Sequence, residues 1–421
     1  MIRADLLVTE VAEVATLAAG PVPRIGPAMG ELSVVRDATI AVAGGRIAWI
    51  GPARRRAREV RLAPGGRTRS AEGGTVVPGF VDPHTHVLFA GDRAFELPLR
   101  ATGAGYAEIA RRGGGIFATV RATRAASDAT LLRETAARLR RMARFGSAAV
   151  EVKSGYALDV AGELRLLRLV PRLARATGLP LVPTFLGAHA VPPEYAGRAD
   201  AYIDRLVHLA LPTIARERLA RYCDVFCEPG FFTPAQSERL LRAAAGLGLG
   251  VKVHADEFVL SGGARLAARL GAASADHLLA ATAGDRRALA RAGVTAVLLP
   301  LTALAAAPTG RIPGREMIDA GVAVALGTDC SPNTWVESMP LVLAHAVHRG
   351  RLSPAEALSA ATVNAAHAIG LADRGRLVPG APADFSVFAF SSVEQLGYRF
   401  DADPAAIYRQ GNPVFSAVLR E

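Results

Sequence analysis

Cysteine is scarce in this sequence, whose 421 residues include only Cys223, Cys227 and Cys330. An odd and sparse set argues against a disulfide framework and indicates a reducing compartment, so we expect a cytoplasmic protein. Cys223 and Cys227 are close together in YCDVFCE, but no second cysteine pair is present to complete a zinc site. Both are therefore predicted to be ordinary buried residues.

Long apolar runs are also missing. None reaches the roughly 18 residues that a membrane-spanning helix needs, and the nearest, VTAVLLPLTALAAAP, is interrupted by proline. The N-terminal stretch MIRADLLVTEVAEV has acidic residues among its apolar ones, which argues against a signal peptide. We therefore expect neither a membrane segment nor a membrane partner.

Lysine is nearly absent. Of 49 basic residues only Lys153 and Lys252 are lysines, and the others are arginines. The net charge is +11, but no basic block is interleaved with aromatic residues, so a nucleic-acid partner is not expected. Both lysines lie in apolar strand-like runs, VEVKSG and VKVHADE. For Lys153 we predict a structural or electrostatic role beside a mononuclear site, rather than carboxylation to bridge two metals.

The middle of the chain alternates short apolar runs with longer segments whose apolar residues recur three and four positions apart. The predicted strands are GFVDPHTH, AAVEVKSG, PLVPTFLGAH, CDVFCE, GVKVHADE, ASADH, VTAVLLP and VAVALGTD. Alternating strands and helices indicate a parallel α/β sheet, and this number of units predicts a (β/α)8 TIM-like barrel. The alternative is an open doubly wound sheet, although no GxGxxG motif follows the first strand.

Both ends of the chain differ from this middle. DATIAVAGGRIAWIG contains two apolar runs joined by Gly-Gly, which is a hairpin signal, and GRLVPGAPADFSVFAF and NPVFSAVLRE are again strand-like. We therefore predict a small β-sandwich domain formed from residues 1–76 and 376–421. The barrel is predicted to span residues 77–375.

Polar residues collect at the ends of the predicted strands, where the active sites of such barrels lie. His84 and His86 are two positions apart, so their side chains share one face of a strand. The polar residues at these ends are His84, His86, Lys153, Ser154, Tyr156, His189, His254, Asp256, Glu257, Asp276, His277 and Asp329. So many histidines at one rim predict a metal site.

Three imidazoles and a carboxylate suit one divalent ion, zinc or iron, and leave room for a water molecule. We assign His84, His86, His254 and Asp329 as the ligands. Such an ion lowers the pKa of its water from about 15.7 toward roughly 7, which gives a nucleophile at neutral pH. His277 and Glu257 are alternative proton carriers, and the sequence does not rank them.

Several segments resemble a known family. PGFVDPHTH, VKVHADE, SADHL and GTDCSP, in this order, resemble the metal-dependent amidohydrolase superfamily, and GRLVPGAPADFSVF resembles its C-terminal β segment. More narrowly, DPHTHVLFAGDR, GGGI, EVKSGY, TFLGAHAVPPEY, DVFCEPGFF and VHADEF resemble the imidazolonepropionase family over nearly the whole chain. The resemblance implies hydrolysis of the cyclic amide of 4-imidazolone-5-propanoate to N-formimidoyl-L-glutamate, a step of histidine degradation, with the same four metal ligands.

The resemblance also implies substrate contacts from Arg93, Tyr156, His189 and Glu257, with His277 near the reacting carbon. Arg93 suits a substrate carboxylate, because a guanidinium binds carboxylates bidentately. Tyr156 and His189 are expected to donate hydrogen bonds to the substrate.

One loop departs from the family pattern. After the metal-binding aspartate the family usually continues with Asn-Pro-Gly and then Ser or Thr, whereas this chain has Ser331, Pro332, Asn333 and Thr334. Ser331, Asn333 and Thr334 are expected to bind the polar end of the product, so the departures at Ser331 and Asn333 affect fine substrate preference.

Two other functions stay open at this point. One is a different amidohydrolase activity, such as deamination of a heterocyclic base, which Arg93 and GAHAVPPEY disfavour. The other is a catalytically dead barrel that acts as a scaffold, which the intact ligand set disfavours. A homodimer is plausible for barrels of this kind.

Overall fold

The computed structural model describes residues 1–103, 106–306 and 311–416. Within these ranges the strands are β1 Ile2–Ala15, β2 Val34–Ala43, β3 Arg46–Pro52, β4 Val60–Ser70, β5 Thr75–Pro78, β6 Phe80–Asp82, β7 Ser147–Lys153, β8 Leu181–Ala188, β9 Tyr222–Cys227, β10 Gly250–Ala255, β11 Ser274–His277, β12 Thr295–Leu298, β13 Val324–Leu326, β14 Phe385–Phe388, β15 Pro404–Arg409 and β16 Asn412–Ser416.

The α-helices in the described ranges are α1 Ala53–Glu59, α2 Glu96–Ala101, α3 Tyr106–Arg111, α4 Ile116–Ala125, α5 Asp128–Arg144, α6 Val160–Thr177, α7 Ala199–Arg205, α8 Leu211–Glu217, α9 Pro234–Gly246, α10 Gly263–Leu270, α11 Ala283–Ala292, α12 Pro300–Ala306, α13 Gly314–Asp319, α14 Met339–Gly350, α15 Pro354–Ala361, α16 Val363–Ala368 and α17 Glu394–Tyr398. Short 3-10 helices cover Gly26–Gly30 and Pro193–Tyr195, and a π-helical turn covers Leu206–Ala210.

Strands β6 to β13 form one parallel sheet in which each strand pairs with the next in sequence. A parallel bridge between Thr85 and Cys330 joins the chain after the first and last of these strands, and His86 donates its backbone N–H to the Cys330 carbonyl at 3.0 Å. The predicted TIM-like barrel is confirmed, with a strand in each of the predicted runs. Consecutive pairing excludes the doubly wound alternative, in which the strand order reverses.

The barrel strands are buried on both faces. In β7, SAAVEVK, every residue is buried. A parallel sheet that is filled inside and covered by helices outside has no solvent face, so its strands are apolar runs rather than alternating patterns. The polar residues Glu151 and Lys153 in β7 are exceptions, and they lie on the side of the barrel where the strands end.

Helix α5 shows how the outer layer forms. Ser127 accepts a hydrogen bond from the Thr130 N–H at 3.1 Å and so caps the helix. Leu139 is among the residues that it buries, while Arg141 and Arg144 lie in its last turn, near the negative end of the helix dipole. Many of the scattered arginines therefore cover the outer faces of helices.

A second sheet combines both ends of the chain, in the order β16-β15-β14-β5-β1-β2-β3, with β4 also paired to β1. Gly44 and Gly45, with φ of 57° and 75°, form the predicted hairpin turn between β2 and β3. In β14, Val387 pairs with Val76 of β5. We propose residues 1–76 and 376–421 as the limits of this domain, and the boundaries themselves stay a prediction.

The connection between the two sheets leads directly to the candidate site. Only Gly79 separates β5 of the composite sheet from β6 of the barrel. His84 and His86 follow β6, so the composite sheet anchors the strand that carries them. The cysteines Cys223, Cys227 and Cys330 are buried and form no disulfide. No helix in the described ranges combines the length and apolar character needed to cross a bilayer.

Candidate metal centre and substrate cavity

The carboxyl ends of the barrel strands surround a cavity of about 610 Å³. This volume lies within the range of about 300–1,000 Å³ that is typical of small-molecule sites. Of the residues predicted from the sequence, the structure places on the cavity wall His86, Arg93, Tyr156, His189, His254, Glu257, His277, Asp329, Ser331 and Asn333. His84 is fully buried and contacts His86 at the floor of the cavity.

Three imidazoles meet on this floor. The Nε2 atom of His86 lies 3.2 Å from Nε2 of His84 and 3.2 Å from Nε2 of His254. Asp329 completes the group, because its Oδ1 atom lies 3.6 Å from His84 Nε2 and 3.4 Å from His86 Nε2. Its other oxygen, Oδ2, accepts a hydrogen bond from Thr302 at 2.7 Å. The four residues that the sequence predicts as ligands are therefore together.

His277 belongs to the same cluster. A ring nitrogen of His277 lies within 4.8 Å of ring nitrogens of His84 and His254. His277 has φ of 72° and Asp329 has φ of 50°, so both occupy the left-handed region that non-glycine residues rarely adopt. Backbone strain of this kind persists only where the surrounding structure fixes it, and it is concentrated at functional sites.

Buried carboxylates face the outer nitrogens of two of these histidines. His84 Nδ1 lies 2.6 Å from Asp276 Oδ2, and His254 Nδ1 lies 3.0 Å from Asp224 Oδ2. A carboxylate accepts hydrogen bonds, so the contact with Asp276 places the ring proton of His84 on Nδ1 and leaves a lone pair on its Nε2. Carboxylates in this position orient metal-binding histidines in many proteins.

The donor set fits a divalent cation. His86 Nε2 lies 3.2 Å from Nε2 of His84 and from Nε2 of His254, and a single proton on His86 Nε2 can be donated to only one of them, whereas a cation among the three can accept an electron pair from each. Burial lowers the pKa of His84 and of His86 well below the ordinary value, so both rings are neutral and can donate electron pairs. Burial raises the pKa of Asp329 to about 6. The described residues therefore include a His/Asp site with the chemistry of a metal centre.

Both lysines of the chain lie beneath this site, fully buried. Lys153 Nζ donates to Asp224 Oδ2 at 2.7 Å and lies 2.9 Å from Glu151 Oε2 and 3.6 Å from Asp276 Oδ2. Lys252 Nζ donates to Glu151 Oε1 at 2.7 Å. Burial alone lowers the pKa of Lys153, but the charges of Asp224 and Glu151 outweigh it and raise that pKa. This placement supports an electrostatic role for Lys153, because it links the two aspartates that face His84 and His254.

Glu257 lies beside His277, with Glu257 Oε2 3.6 Å from His277 Nε2. Glu228 fixes the loop that carries Glu257, because it accepts from the backbone N–H groups of Glu257 at 3.2 Å and Val259 at 2.8 Å. Burial, followed by the negative charges of Asp329 and Glu228, raises the pKa of Glu257 well above its ordinary value. A carboxyl group with a raised pKa exchanges its proton nearer to neutral pH, which suits acid–base catalysis.

Tyr156 is carried by a loop that a buried carboxylate holds. Glu163 accepts hydrogen bonds from the backbone N–H groups of Gly155 at 2.7 Å, Ala157 at 2.8 Å and Leu158 at 2.8 Å. These three bonds bracket Tyr156 and fix its backbone. The ring centroid of Tyr156 lies 5.3 Å from that of His189, so the two side chains share one part of the cavity wall.

His189 presents an acceptor to the cavity. Its Nδ1 donates to the Gly155 carbonyl at 3.1 Å, since a carbonyl oxygen only accepts. Burial lowers the pKa of His189 to about 3, so the ring is neutral and its Nε2 carries a lone pair. The sequence-based expectation that His189 donates to the substrate therefore does not match this tautomer.

Arg93 lines the cavity with one edge of its guanidinium already engaged. Its Nε and Nη2 atoms donate to Glu96 at 2.6 and 2.8 Å. A ligand carboxylate can therefore accept hydrogen bonds only from the edge of the Arg93 guanidinium that does not face Glu96. In the loop after Asp329, Ser331 and Asn333 lie on the wall, whereas Thr334 is buried and donates its backbone N–H to Ser331 Oγ at 3.2 Å.

Several residues that shape the site were not predicted from the sequence. Glu151 and Asp224 lie within apolar strands, and an acidic residue in the middle of CDVFCE was a signal for the second of these. Arg100 lines the cavity but is one arginine among many. Phe226 and Phe231 also line the cavity, and aromatic residues in a strand and the following turn are ordinary core residues by sequence alone.

Comparison with known sequences gives a consistent result. The profile of the Amidohydrolase family matches residues 96–419. An imidazolonepropionase of Symbiobacterium thermophilum is 50% identical over 390 residues, which is 91% of this chain and 91% of that protein. Imidazolonepropionases of Solibacter usitatus and Chloroflexus aggregans are each 44% identical, over 96% and 97% of this chain and 97% and 98% of their own lengths.

Comparison with solved structures shows the same fold in more distant proteins. An adenosine deaminase from Xanthomonas campestris with bound zinc superposes with a TM-score of 0.70 at 21% identity, covering 99% of this chain and 94% of that one. A triazine hydrolase variant superposes with a TM-score of 0.68 at 18% identity, covering 98% and 94%. At such low sequence identity these similarities show only the fold, which is a barrel with an attached sheet.

Proposed function

The chain belongs to the imidazolonepropionase family of amidohydrolases, and on that premise we propose how its cavity hydrolyses the cyclic amide of 4-imidazolone-5-propanoate to N-formimidoyl-L-glutamate, a step of histidine degradation. One observation carries the proposal. A cluster of three histidines and Asp329 lies on the floor of the same cavity whose wall includes Arg93. A metal centre and a cation for the substrate carboxylate are thus in one site.

We propose that His84, His86, His254 and Asp329 hold one divalent ion, either zinc or iron. When bound, such an ion polarises a carbonyl oxygen and makes a water molecule acidic enough to attack at neutral pH. The chain contributes the orientation of the ligands, because Asp276 fixes His84 and Asp224 faces His254. The choice between zinc and iron is not determined by ligands of these types.

Hydrolysis adds the oxygen of water to the ring carbonyl carbon and a proton to the ring nitrogen, as the bond between that carbon and that nitrogen breaks. One side chain has to carry the proton from the water to the nitrogen. We propose Glu257 for this role, because its raised pKa suits proton exchange and it lies on the cavity wall. We further propose that His277, whose Nε2 lies 3.6 Å from Glu257 Oε2, stabilises the carbonyl oxygen as it gains negative charge.

The remaining wall residues orient the substrate. Arg93 offers its free edge to the propanoate carboxylate, and Tyr156 lies beside His189. Because His189 presents an acceptor, we propose that it binds a ring N–H of the imidazolone. Phe226 and Phe231 provide apolar surface for the flat ring. We also propose that the polar end of the product is bound by Ser331, Asn333 and Thr334.

The test is an ultraviolet assay of 4-imidazolone-5-propanoate loss with metal-depleted protein and with the same protein reconstituted with zinc or with iron. We expect activity to return with one equivalent of metal. His254→Ala is expected to lose both metal and activity, while His208→Ala, at an exposed position on the π-helical turn, keeps both. Absence of turnover by metal-loaded protein, or full metal occupancy in His254→Ala, contradicts the proposal.

The other functions considered from the sequence receive no support. The deaminase among the structural neighbours shares the fold at 21% identity, whereas the imidazolonepropionases are 42–50% identical over most of the chain. The scaffold hypothesis is likewise not favoured, since the proposed ligands are all present and close together. A cytoplasmic location and a homodimer stay predictions.

A further inference from the structure

Arg100 lies on the wall of the same cavity as Arg93. It is in helix α2, and its side chain is 30% exposed, compared with 8% for Arg93. Among the described residues around the cavity, Arg93 and Arg100 are the only arginine or lysine side chains. Any anionic group of a ligand in this cavity therefore meets one or both of them.

Glu96 links the two arginines and is fully occupied by protein donors. Its oxygens accept from Arg93 Nε at 2.6 Å and Nη2 at 2.8 Å, from Arg100 Nη2 at 3.0 Å and from the Gly115 backbone N–H at 2.7 Å. A carboxylate has about four acceptor positions, so Glu96 has no further capacity. It is a fixed anion that positions both guanidinium groups.

The charge of this group is unbalanced. Two guanidinium groups carry two positive charges, and Glu96 supplies one negative charge. Burial raises the pKa of Glu96, but the hydrogen bonds from Arg93 and Gly115 outweigh it and hold that pKa below the ordinary value, so the carboxylate is ionised. One positive charge is left over on the cavity wall, and Arg100 is the more exposed of its two carriers.

Asn333 adds an oriented donor. Its Oδ1 accepts from Arg100 Nη2 at 2.6 Å. A guanidinium only donates, so the amide oxygen has to face Arg100, and the Nδ2 group with its two hydrogens has to point away from it. The described contacts of Arg100 run through Nη2, which leaves Nε and Nη1 as donors. Arg100 and Asn333 thus offer several N–H donors from neighbouring points of one wall.

We propose that Arg100 and Asn333 form a carboxylate-binding subsite that, with the free edge of Arg93, holds the propanoate group of the substrate. The subsite rests on the proposed function and adds the residues that select an anionic side chain. Arg93 cannot bind the substrate carboxylate through its Nε edge, because that edge already donates to Glu96. Arg100 therefore supplies the additional charge-assisted hydrogen bonds to the carboxylate. A neutral analogue of the same shape makes weaker hydrogen bonds to these donors and leaves the extra positive charge unpaired, so it binds less well.

The test measures binding rather than turnover. Isothermal titration of the metal-loaded protein uses imidazole-4-propanoate and imidazole-4-propanamide, which have no ring carbonyl to be hydrolysed. We expect the wild type to bind the acid at least about 10-fold more tightly than the amide. Arg100→Gln is expected to weaken acid binding by about 10- to 100-fold, the effect of losing a hydrogen bond to a charged group, and amide binding by less than about 2-fold.

Two further variants complete the test. Arg112→Gln is the matched control, because Arg112 is an exposed arginine that pairs with Glu108 at 2.6 Å; it is expected to keep the acid preference. Arg100→Lys keeps the charge without the planar fork and is expected to lose part of that preference, and it replaces Arg100→Gln if circular dichroism shows the latter unfolded.

The outcomes separate the two proposals. An unchanged preference for the acid in a folded Arg100 variant, equal losses for acid and amide, or no acid preference in the wild type overturns the subsite. Absence of imidazolone turnover by a wild type that still prefers the acid overturns the proposed function and leaves the subsite in place.

Discussion

His84 Nδ1 lies 2.6 Å from Asp276 Oδ2, and neither side chain is exposed to solvent. His84 comes from the segment after β6 and Asp276 from β11, so the contact crosses the barrel interior. The contact fixes which ring nitrogen of His84 carries the proton, and therefore which nitrogen is available to a metal ion. We therefore expect metal affinity to depend on Asp276, which faces Nδ1 of His84, whereas Nε2 of His84 faces His86.

Asp276→Asn is expected to weaken metal binding by about 10- to 100-fold, because residues that orient metal-binding histidines have effects of this size. Chelator competition with zinc measures the change. Asp285→Asn is the matched control, since Asp285 is a buried carboxylate that caps helix α11 away from the site. Equal metal affinity in Asp276→Asn and the wild type would show that the contact with His84 does not matter.

Lys153→Met should also reduce metal affinity, because it removes the cation between Asp224 and Asp276. Lys153→Met alone leaves buried carboxylates without their cation, which can unfold the protein. The double variant Glu151→Gln/Lys153→Met removes one positive and one negative charge, so the net charge of the buried network does not change. We expect both to bind zinc more weakly than the wild type, measured by metal content after gel filtration. Arg138→Met, which removes a buried cation bonded to two backbone carbonyls, should change stability without changing metal content.

Glu163→Gln should raise the KM of the substrate by about 10-fold, because an amide replaces a carboxylate that accepts three backbone hydrogen bonds around Tyr156. Metal content should not change, since Glu163 has no contact with the metal cluster. Steady-state kinetics and metal analysis on one preparation give both values. Glu194→Gln, an exposed partner of Arg124, serves as the control. A fall in kcat at constant KM would instead indicate a role in the chemical step.

Asp82 predicts a pH dependence of stability. Burial raises its pKa to about 7. Because the folded chain keeps this proton and the unfolded chain releases it near the ordinary value, the stabilising contribution is complete below about pH 4 and is lost as pH rises through 7. The effect is at most about 1.4 kcal/mol per pH unit. Urea unfolding of metal-depleted protein should therefore show a steeper loss of stability from pH 5 to pH 8 in the wild type than in Asp82→Asn, and parallel curves would refute the assignment.

The barrel was predictable because its strands are continuous apolar runs, whereas the apolar residues of its helices recur three and four positions apart. The candidate centre was predictable for a related reason, since polar residues placed immediately after apolar runs have to lie at one rim. His84 and His86, two apart at such a position, are the clearest example. The composite sheet followed from strand-like segments at both ends, but its strand order did not, because long-range pairing such as Val76 with Val387 leaves no mark in either segment.

The supporting residues were harder to predict. Asp224 faces the interior only because the strand alternates its side chains, and the register of the barrel decides which histidine it meets. Arg100 was hidden by the abundance of arginine. The tautomer of His189 depends on one backbone carbonyl, that of Gly155, which no sequence pattern indicates.

The pairing of β5 with β14 has a consequence for synthesis on the ribosome. Strand β5 is complete by residue 78, but its partner on one side, Phe385–Phe388, is translated roughly three hundred residues later. During that interval the nascent chain holds an open strand edge next to the segment that carries the first two histidines. Such edges are sites of aggregation, so truncated or stalled chains should depend on chaperones until the last strands emerge.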